Sequence, residues 1–189
     1  MGVVLYGGAF DPPHLGHVAV ADAARKRFGA DRLVVLVSER PAHRSLHASA
    51  EDRLALARAA FPRDDVRLDP YPRTVALLRA EGFDGPVFVV GADQFRNFLD
   101  WSEPNDVLKL ARIGVATRLG YPREELDGVL TQLDEPERVL FFEIEPQAVA
   151  SRELRRRLEA GEDVGADVPS AVAAIIDREM LYGRGTGVH

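Results

Sequence analysis

Positions 7 to 17 read Gly7-Gly8-Ala9-Phe10-Asp11-Pro12-Pro13-His14-Leu15-Gly16-His17. Paired glycines let a backbone turn sharply and come close to a ligand with no Cβ in the way. His14 and His17 are three residues apart, so at a helix start they share one side. The helix N-terminus there offers unpaired N–H groups and the positive end of a dipole. Such a set can hold phosphate oxygens and offset the charge that develops as a phosphoryl bond breaks. An ordinary turn with two surface histidines would explain an isolated pair, but it fits the whole string poorly. Zinc fits less well, because the spacing is not His-Glu-x-x-His and the chain has no cysteine. Neither a Walker A loop nor a Gly-x-Gly-x-x-Gly fingerprint is present.

The elements around this string can be read from periodicity. Val3 to Tyr6 is an apolar run stopped by Gly7-Gly8, and a helix is expected from Leu15 to Phe28. Leu33 to Val37 and Val87 to Val90 are continuous apolar, valine-rich runs, typical of strands buried on both faces. Ser49 precedes Glu51, Asp52 and a periodic run to Phe61, which predicts an N-capped helix. Further strands are expected at Val66 to Leu68, Ile113 to Thr117 and Val139 to Ile144. Helices are expected at Thr74 to Glu81, Gln94 to Leu99, Asn105 to Leu110, Arg123 to Thr131, Ser151 to Ala160 and Ser170 to Met180. This alternation predicts an α/β fold: a mainly parallel sheet, doubly wound, with helices on both faces. Ligands bind such sheets beyond the carboxyl ends of the strands. The segments in that position are Gly7 to His17, Ser38 to Arg44, Gly91-Ala92-Asp93-Gln94 and Arg118-Leu119-Gly120.

Composition narrows the function classes. The 189 residues suit one domain, and no linker or repeat divides them. A net charge of −6 argues against a broad nucleic-acid footprint. The runs Arg25-Lys26-Arg27 and Arg155-Arg156-Arg157 read first as solvated helix faces. No apolar run approaches the roughly 20 residues of a membrane span, and no signal segment opens the chain, so a cytoplasmic protein is expected. The glycine-rich tail 183–189 is expected to be mobile.

The string from Gly7 to His17 resembles the signature of the nucleotidyltransferases with the His-x-Gly-His motif, and in particular the bacterial nicotinate-nucleotide adenylyltransferases. The likeness continues through Gly91-Ala92-Asp93 followed by Trp101, then Arg118-Leu119-Gly120. It extends to Val149 to Arg155 as a loose match to a late Ile-Ser-Ser-Thr-x-Ile-Arg motif, and to Val168-Pro169 through Leu181-Tyr182. The resemblance implies one Rossmann-like nucleotidyltransferase domain over 1–189, with a helical C-terminal portion at 151–182. It implies a reaction in which ATP and nicotinate mononucleotide give deamido-NAD and pyrophosphate, with Mg²⁺ accompanying ATP and no metal site built by the protein. His14 and His17 would contact the ATP phosphates as the catalytic pair. Gly7, Gly8, Ala9, Phe10, Gly91, Asp93, Ser151 and Arg155 would bind the nucleotide, with Asp93 on the ribose and Ser151 and Arg155 at the pyrophosphate end. His43, Arg44, Thr74, Trp101 and Arg118 would form the acceptor region, with Trp101 stacked on the pyridine ring.

The chemistry agrees independently with this residue set. A phosphate acceptor has a second pKa of about 6, so near neutral pH no proton need be removed and no general base is required. What remains is to place two anions in line and offset their repulsion. The chain departs from the family at Ala9, Arg44, Ala150, Arg152 and Ser102, and in the segment Asp69-Pro70-Tyr71-Pro72-Arg73-Thr74. Two other readings therefore stand beside the first. One is a related transferase using another phosphorylated acceptor, such as nicotinamide mononucleotide or phosphopantetheine. The other is a nucleotide-binding protein without turnover. Oligomeric state is left open, a homo-oligomer included.

Overall fold

Strand and helix alternate along the chain as the periodicity predicts. The computed structural model describes residues 2–41, 46–118, 121–145 and 148–183. Its strands are β1 (Gly2–Gly8), β2 (Ala30–Ser38), β3 (Asp65–Asp69), β4 (Val87–Gly91), β5 (Arg112–Arg118) and β6 (Val139–Ile144). Its helices are α1 (Leu15–Phe28), α2 (Ala50–Ala60), α3 (Thr74–Glu81), α4 (Ala92–Arg96), α5 (Pro104–Leu110), α6 (Glu124–Leu130), α7 (Ser151–Glu159) and α8 (Ser170–Arg178). Apart from Gly183, the glycine-rich tail lies outside the described residues.

The sheet order is β3-β2-β1-β4-β5-β6, and every pair is parallel. The chain winds outward from β1 to β3, then returns to lay β4 on the other side of β1. That reversal opens a crevice at the carboxyl ends of β1 and β4, where doubly wound sheets bind ligands.

Side-chain alternation builds the core on both sheet faces. Val4, Tyr6, Val35, Val37, Val87 and Val89 belong to one buried cluster, with α1, α2 and the C-terminal helices over it. Leu5, Val34, Leu36, Phe88 and Val90 belong to the other, with α3, α4 and α5. Ser49 caps α2 as expected, its Oγ accepting from the Asp52 N–H at 3.1 Å. The helix expected from Gln94 to Leu99 starts earlier and breaks in two. The Gln94 Oε1 accepts the Gly91 N–H at 3.2 Å, which starts α4 directly at the strand end, and a 3₁₀ turn follows at Phe98–Asp100.

Candidate functional site

The two histidines come together at the start of α1. Their ring centroids are 3.8 Å apart. His14 is the N-cap residue, and its backbone N–H donates to Nδ1 of His17 at 3.1 Å. An accepting Nδ1 leaves the proton of a neutral His17 ring on Nε2, so its far edge is a donor. His14 is 8% exposed, and its Nδ1 is buried without a hydrogen-bond partner among the described residues. A buried polar atom without a partner is costly and marks a place where a ligand can satisfy it.

Burial pushes the His14 imidazole down from 6.5 to about 4, with Asp167 opposing the change. His14 is therefore neutral at pH 7 and would meet a phosphate as a polar neighbour, not as a resident cation. The same shift has a consequence for stability. Between pH 6.5 and 4 the unfolded chain binds a proton at His14 and the folded chain does not, so stability is lost as the pH falls through that window. Replacing His14 with glutamine is expected to remove a component on the order of 3 kcal/mol from that acid loss. Urea unfolding at pH 7 and pH 4 checks this. An unchanged slope would place the acid sensitivity elsewhere.

The glycine turn is built differently from the expectation. Gly7 and Gly8 are the last residues of β1 and do not carry the left-handed turn, which falls on Phe10 at φ 50°. The glycines are needed for space. A Cβ on Gly8 would sit 3.1 Å from the Phe10 ring, and one on Gly7 would sit 3.0 Å from Phe88. Phe10 is buried against Tyr6, Phe61 and His17, which holds it in that conformation. The helix start also offers fewer amides than expected. The Leu15 N–H donates to the Asp167 carbonyl at 2.9 Å, and the His17 N–H donates to the His14 carbonyl at 2.9 Å.

A cavity of about 710 Å³ lies over the crevice. Gly7, Gly8, Ala9, Phe10, His14, His17, Gly91, Asp93, Ser151 and Arg155 all line it, joined by Gln94 and Arg152. β1, α1, β4 and α7 each bring their ends to it. A Cβ on Gly91 would meet nothing within 4 Å, so this glycine leaves open space beside Asp93. Ser151 Oγ donates to the Pro12 carbonyl at 2.9 Å, and Arg155 Nη1 donates to the Asp11 carbonyl at 2.6 Å. Both therefore hold the loop while also lining the cavity. The N-cap of α7 is Ala150, which has no side-chain acceptor for the helix's first amides. Arg155 is therefore no solvated surface charge, and Arg157 is likewise paired, with Asp167 at 2.6 Å.

A second cavity, of about 660 Å³, shares Gly7, Gly8, Ala9 and Gln94 with the first and adds Thr74 and Trp101. Trp101 is half-buried, with its ring 5.1 Å from Phe98 and 6.2 Å from Phe88. Arg118 was expected in this group, and the structure separates it from Thr74 and Trp101. Arg118 ends β5 and lines a smaller cavity of about 270 Å³ with His14, His17, Gly91 and Asp93. Strand alternation is the reason. Ala116, two residues earlier, belongs to the α1 face, whereas Val115 belongs to the face that carries Trp101. His43 and Arg44 lie outside the described residues.

Three residues that hold the site were not picked out by the sequence. Asp11 is buried at 3% exposure and accepts hydrogen bonds from the His47 and Ala48 amides at 2.9 and 3.2 Å. Tyr182 donates to the same carboxylate at 2.8 Å. Arg53 is fully buried and donates to the carbonyls of Ala9, Ser38, Glu39 and Ala48. Asp11 stood inside the signature string, which was a usable signal. Arg53 occupies an unremarkable helix position and gave none.

Residues 5–157 match the model of the cytidylyltransferase-like family. A Thermus thermophilus protein named "Probable nicotinate-nucleotide adenylyltransferase" is 34% identical over 96% of this chain and 100% of its own length. The chain belongs to the nicotinate-nucleotide adenylyltransferase family. A Rubrobacter xylanophilus protein of the same name is 33% identical over 96% of this chain and 92% of its own length. Among solved structures, the Plasmodium falciparum nicotinic acid mononucleotide adenylyltransferase complexed with NaAD superposes with a TM-score of 0.74. It is 16% identical, with 96% of this chain and 97% of that chain covered. At that identity the likeness establishes the Rossmann-like fold. Membership gives the enzyme its reaction class, nucleotidyl transfer. Among the described residues no helix is long and apolar enough to cross a membrane.

Proposed function

We propose that this enzyme transfers the adenylyl group of ATP to nicotinate mononucleotide in the cytoplasm, forming deamido-NAD and releasing pyrophosphate. One observation supports this reading above the others: the two cavities share the wall Gly7-Gly8-Ala9 and Gln94. ATP in the first and a ring-bearing phosphate in the second would bring their phosphates together at that wall. An acceptor phosphate oxygen attacks the α-phosphorus, and the bond from that phosphorus to the bridging oxygen breaks, leaving pyrophosphate. The acceptor oxygen is already ionised, so no base is needed.

His17, through its far ring edge, and His14 would hold phosphate oxygens whose charge grows in the transition state. Arg152, Arg155 and the uncapped first turn of α7 would hold the departing pyrophosphate. Gly91 would give the ribose close approach, with Asp93 accepting from its hydroxyls. Magnesium fits as a companion of the triphosphate. Among the described residues no group of three or more His, Asp or Glu forms a cage. Mg²⁺ is often held by substrate phosphates with one or two carboxylates and water. When bound, it would neutralise phosphate charge.

Pyrophosphate release with ATP, Mg²⁺ and a panel of acceptors tests the reading. Release with nicotinate mononucleotide supports it. Release only with nicotinamide mononucleotide or phosphopantetheine would move the assignment to another acceptor, and ATP binding without release would make the chain a nucleotide-binding module. Trp101→Ala is expected to raise the acceptor KM by about 10- to 100-fold, the worth of one stacking platform, with the ATP KM little changed. Trp101→Phe should recover most of the loss. A fall in Tm with an unchanged acceptor KM would make the ring a core residue only.

A further inference from the structure

The Asp11 carboxylate joins three parts of the chain that are far apart in sequence. Its Oδ2 accepts the His47 amide at 2.9 Å, and its Oδ1 accepts both the Ala48 amide at 3.2 Å and the Tyr182 hydroxyl at 2.8 Å. We propose that Tyr182, at the far end of the chain, is a positioning residue for adenylyl transfer: its hydroxyl, acting through Asp11, fixes the loop that places Phe10, His14 and His17. This rests on the functional reading above and deepens it.

Three observations carry the proposal. First, Tyr182 is brought back to the loop by a turn that needs holding. Beyond α8, Met180 and Tyr182 both have positive φ, 50° and 62°, a region that costs residues with a side chain free energy. The Leu181 N–H donates to the Ile176 carbonyl at 3.0 Å, and the Tyr182 ring packs against the α1-side core. Second, burial, reinforced by the Asp11 charge, pushes the Tyr182 phenol up, so it stays a donor to the carboxylate. Third, Asp11 adjoins Phe10, whose ring lies 5.1 Å from that of His17, and it precedes His14 by three residues. Movement at Asp11 is thus passed to both imidazoles. Displacements near 1 Å in a reacting site cost about 100-fold in rate. Ser151 and Arg155 reach the same loop through the Pro12 and Asp11 carbonyls, so the C-terminal portion grips it from three points.

Tyr182→Phe removes one oxygen and keeps the ring. The expected result is a fall in kcat of about tenfold with the ATP KM changed far less, because placement and not binding is lost. Hydrogen exchange followed by mass spectrometry should show faster exchange at 9–14 and 46–48, with β1, β4 and β5 unchanged. Tyr182→Phe combined with Asp11→Ala should be no slower than Asp11→Ala alone, since alanine leaves the hydroxyl no acceptor at position 11 and both act through one carboxylate. Wild-type kcat in Tyr182→Phe, or multiplicative losses in the double variant, would overturn the proposal. If Asp11→Ala fails to fold, loop exchange in Tyr182→Phe decides, and unchanged exchange overturns it. Were the wild-type enzyme inactive with every acceptor, the functional reading alone would fall, and the exchange comparison would still test the coupling.

Discussion

Replacing His17 with alanine is expected to lower kcat by about 10²- to 10³-fold, the usual cost of deleting one preorganised donor to developing charge. The residue does two separable things. Its Nδ1 accepts the His14 amide at 3.1 Å, which caps α1. Its side chain also lines the cavity of about 710 Å³ proposed for ATP. Asparagine can keep an acceptor at the Nδ1 position but cannot reach the cavity; glutamine can do the reverse. His17→Asn is therefore expected to keep most of the stability and lose the turnover. His17→Gln should keep more turnover and lose about 1 kcal/mol of capping. Steady-state pyrophosphate release together with thermal unfolding separates the two. Near-normal kcat in His17→Ala would remove the side chain from the mechanism.

Arg53→Met is expected to have the largest effect on stability, on the order of 3 to 5 kcal/mol. Methionine fills a similar length but leaves four carbonyls without their donor: Ala9 at 2.9 Å, Ser38 at 2.7 Å, Glu39 at 3.1 Å and Ala48 at 3.3 Å. Each buried carbonyl left unpaired costs about 1 to 3 kcal/mol. For a chain of this length the loss corresponds to a Tm lower by roughly 6 to 20 °C. Arg53→Lys should recover only part of it, because one ammonium cannot reproduce the planar fork. The Ala9, Ser38 and Glu39 carbonyls lie at the carboxyl ends of β1 and β2, so the surviving folded protein should also bind ATP more weakly. Chemical unfolding and ATP titration check both effects. A loss below about 1 kcal/mol would mean that the carbonyls find other partners.

The fold was legible because its signals are local. Leu33 to Val37 and Val87 to Val90 are apolar runs too short for a buried helix, as in strands buried on both faces, and the 3.6-residue spacing of Val18, Ala21, Ala24 and Phe28 marks α1. Even the limits of Leu15–Phe28 and Thr74–Glu81 were readable, because a glycine in the left-handed conformation ends each helix. Around Gln94 the reading was less accurate, since the break after Arg96 depends on how Asn97 and Phe98 pack, not on period.

The candidate site divides in the same way. The sequence by itself determined the family, the parallel α/β architecture, and the gathering of Gly7 to His17, Gly91 and Asp93 at one sheet edge, because strand ends and glycine stops are written consecutively along the chain. The tertiary structure alone decided that Phe10 and not a glycine takes the turn, that Arg118 faces away from Trp101, and that Arg53 and Tyr182 hold the loop. Tyr182 and Asp11 are 171 positions apart. A hydrogen bond over that separation exists only once the whole sheet and both C-terminal helices have packed, and no local pattern of residue types encodes it.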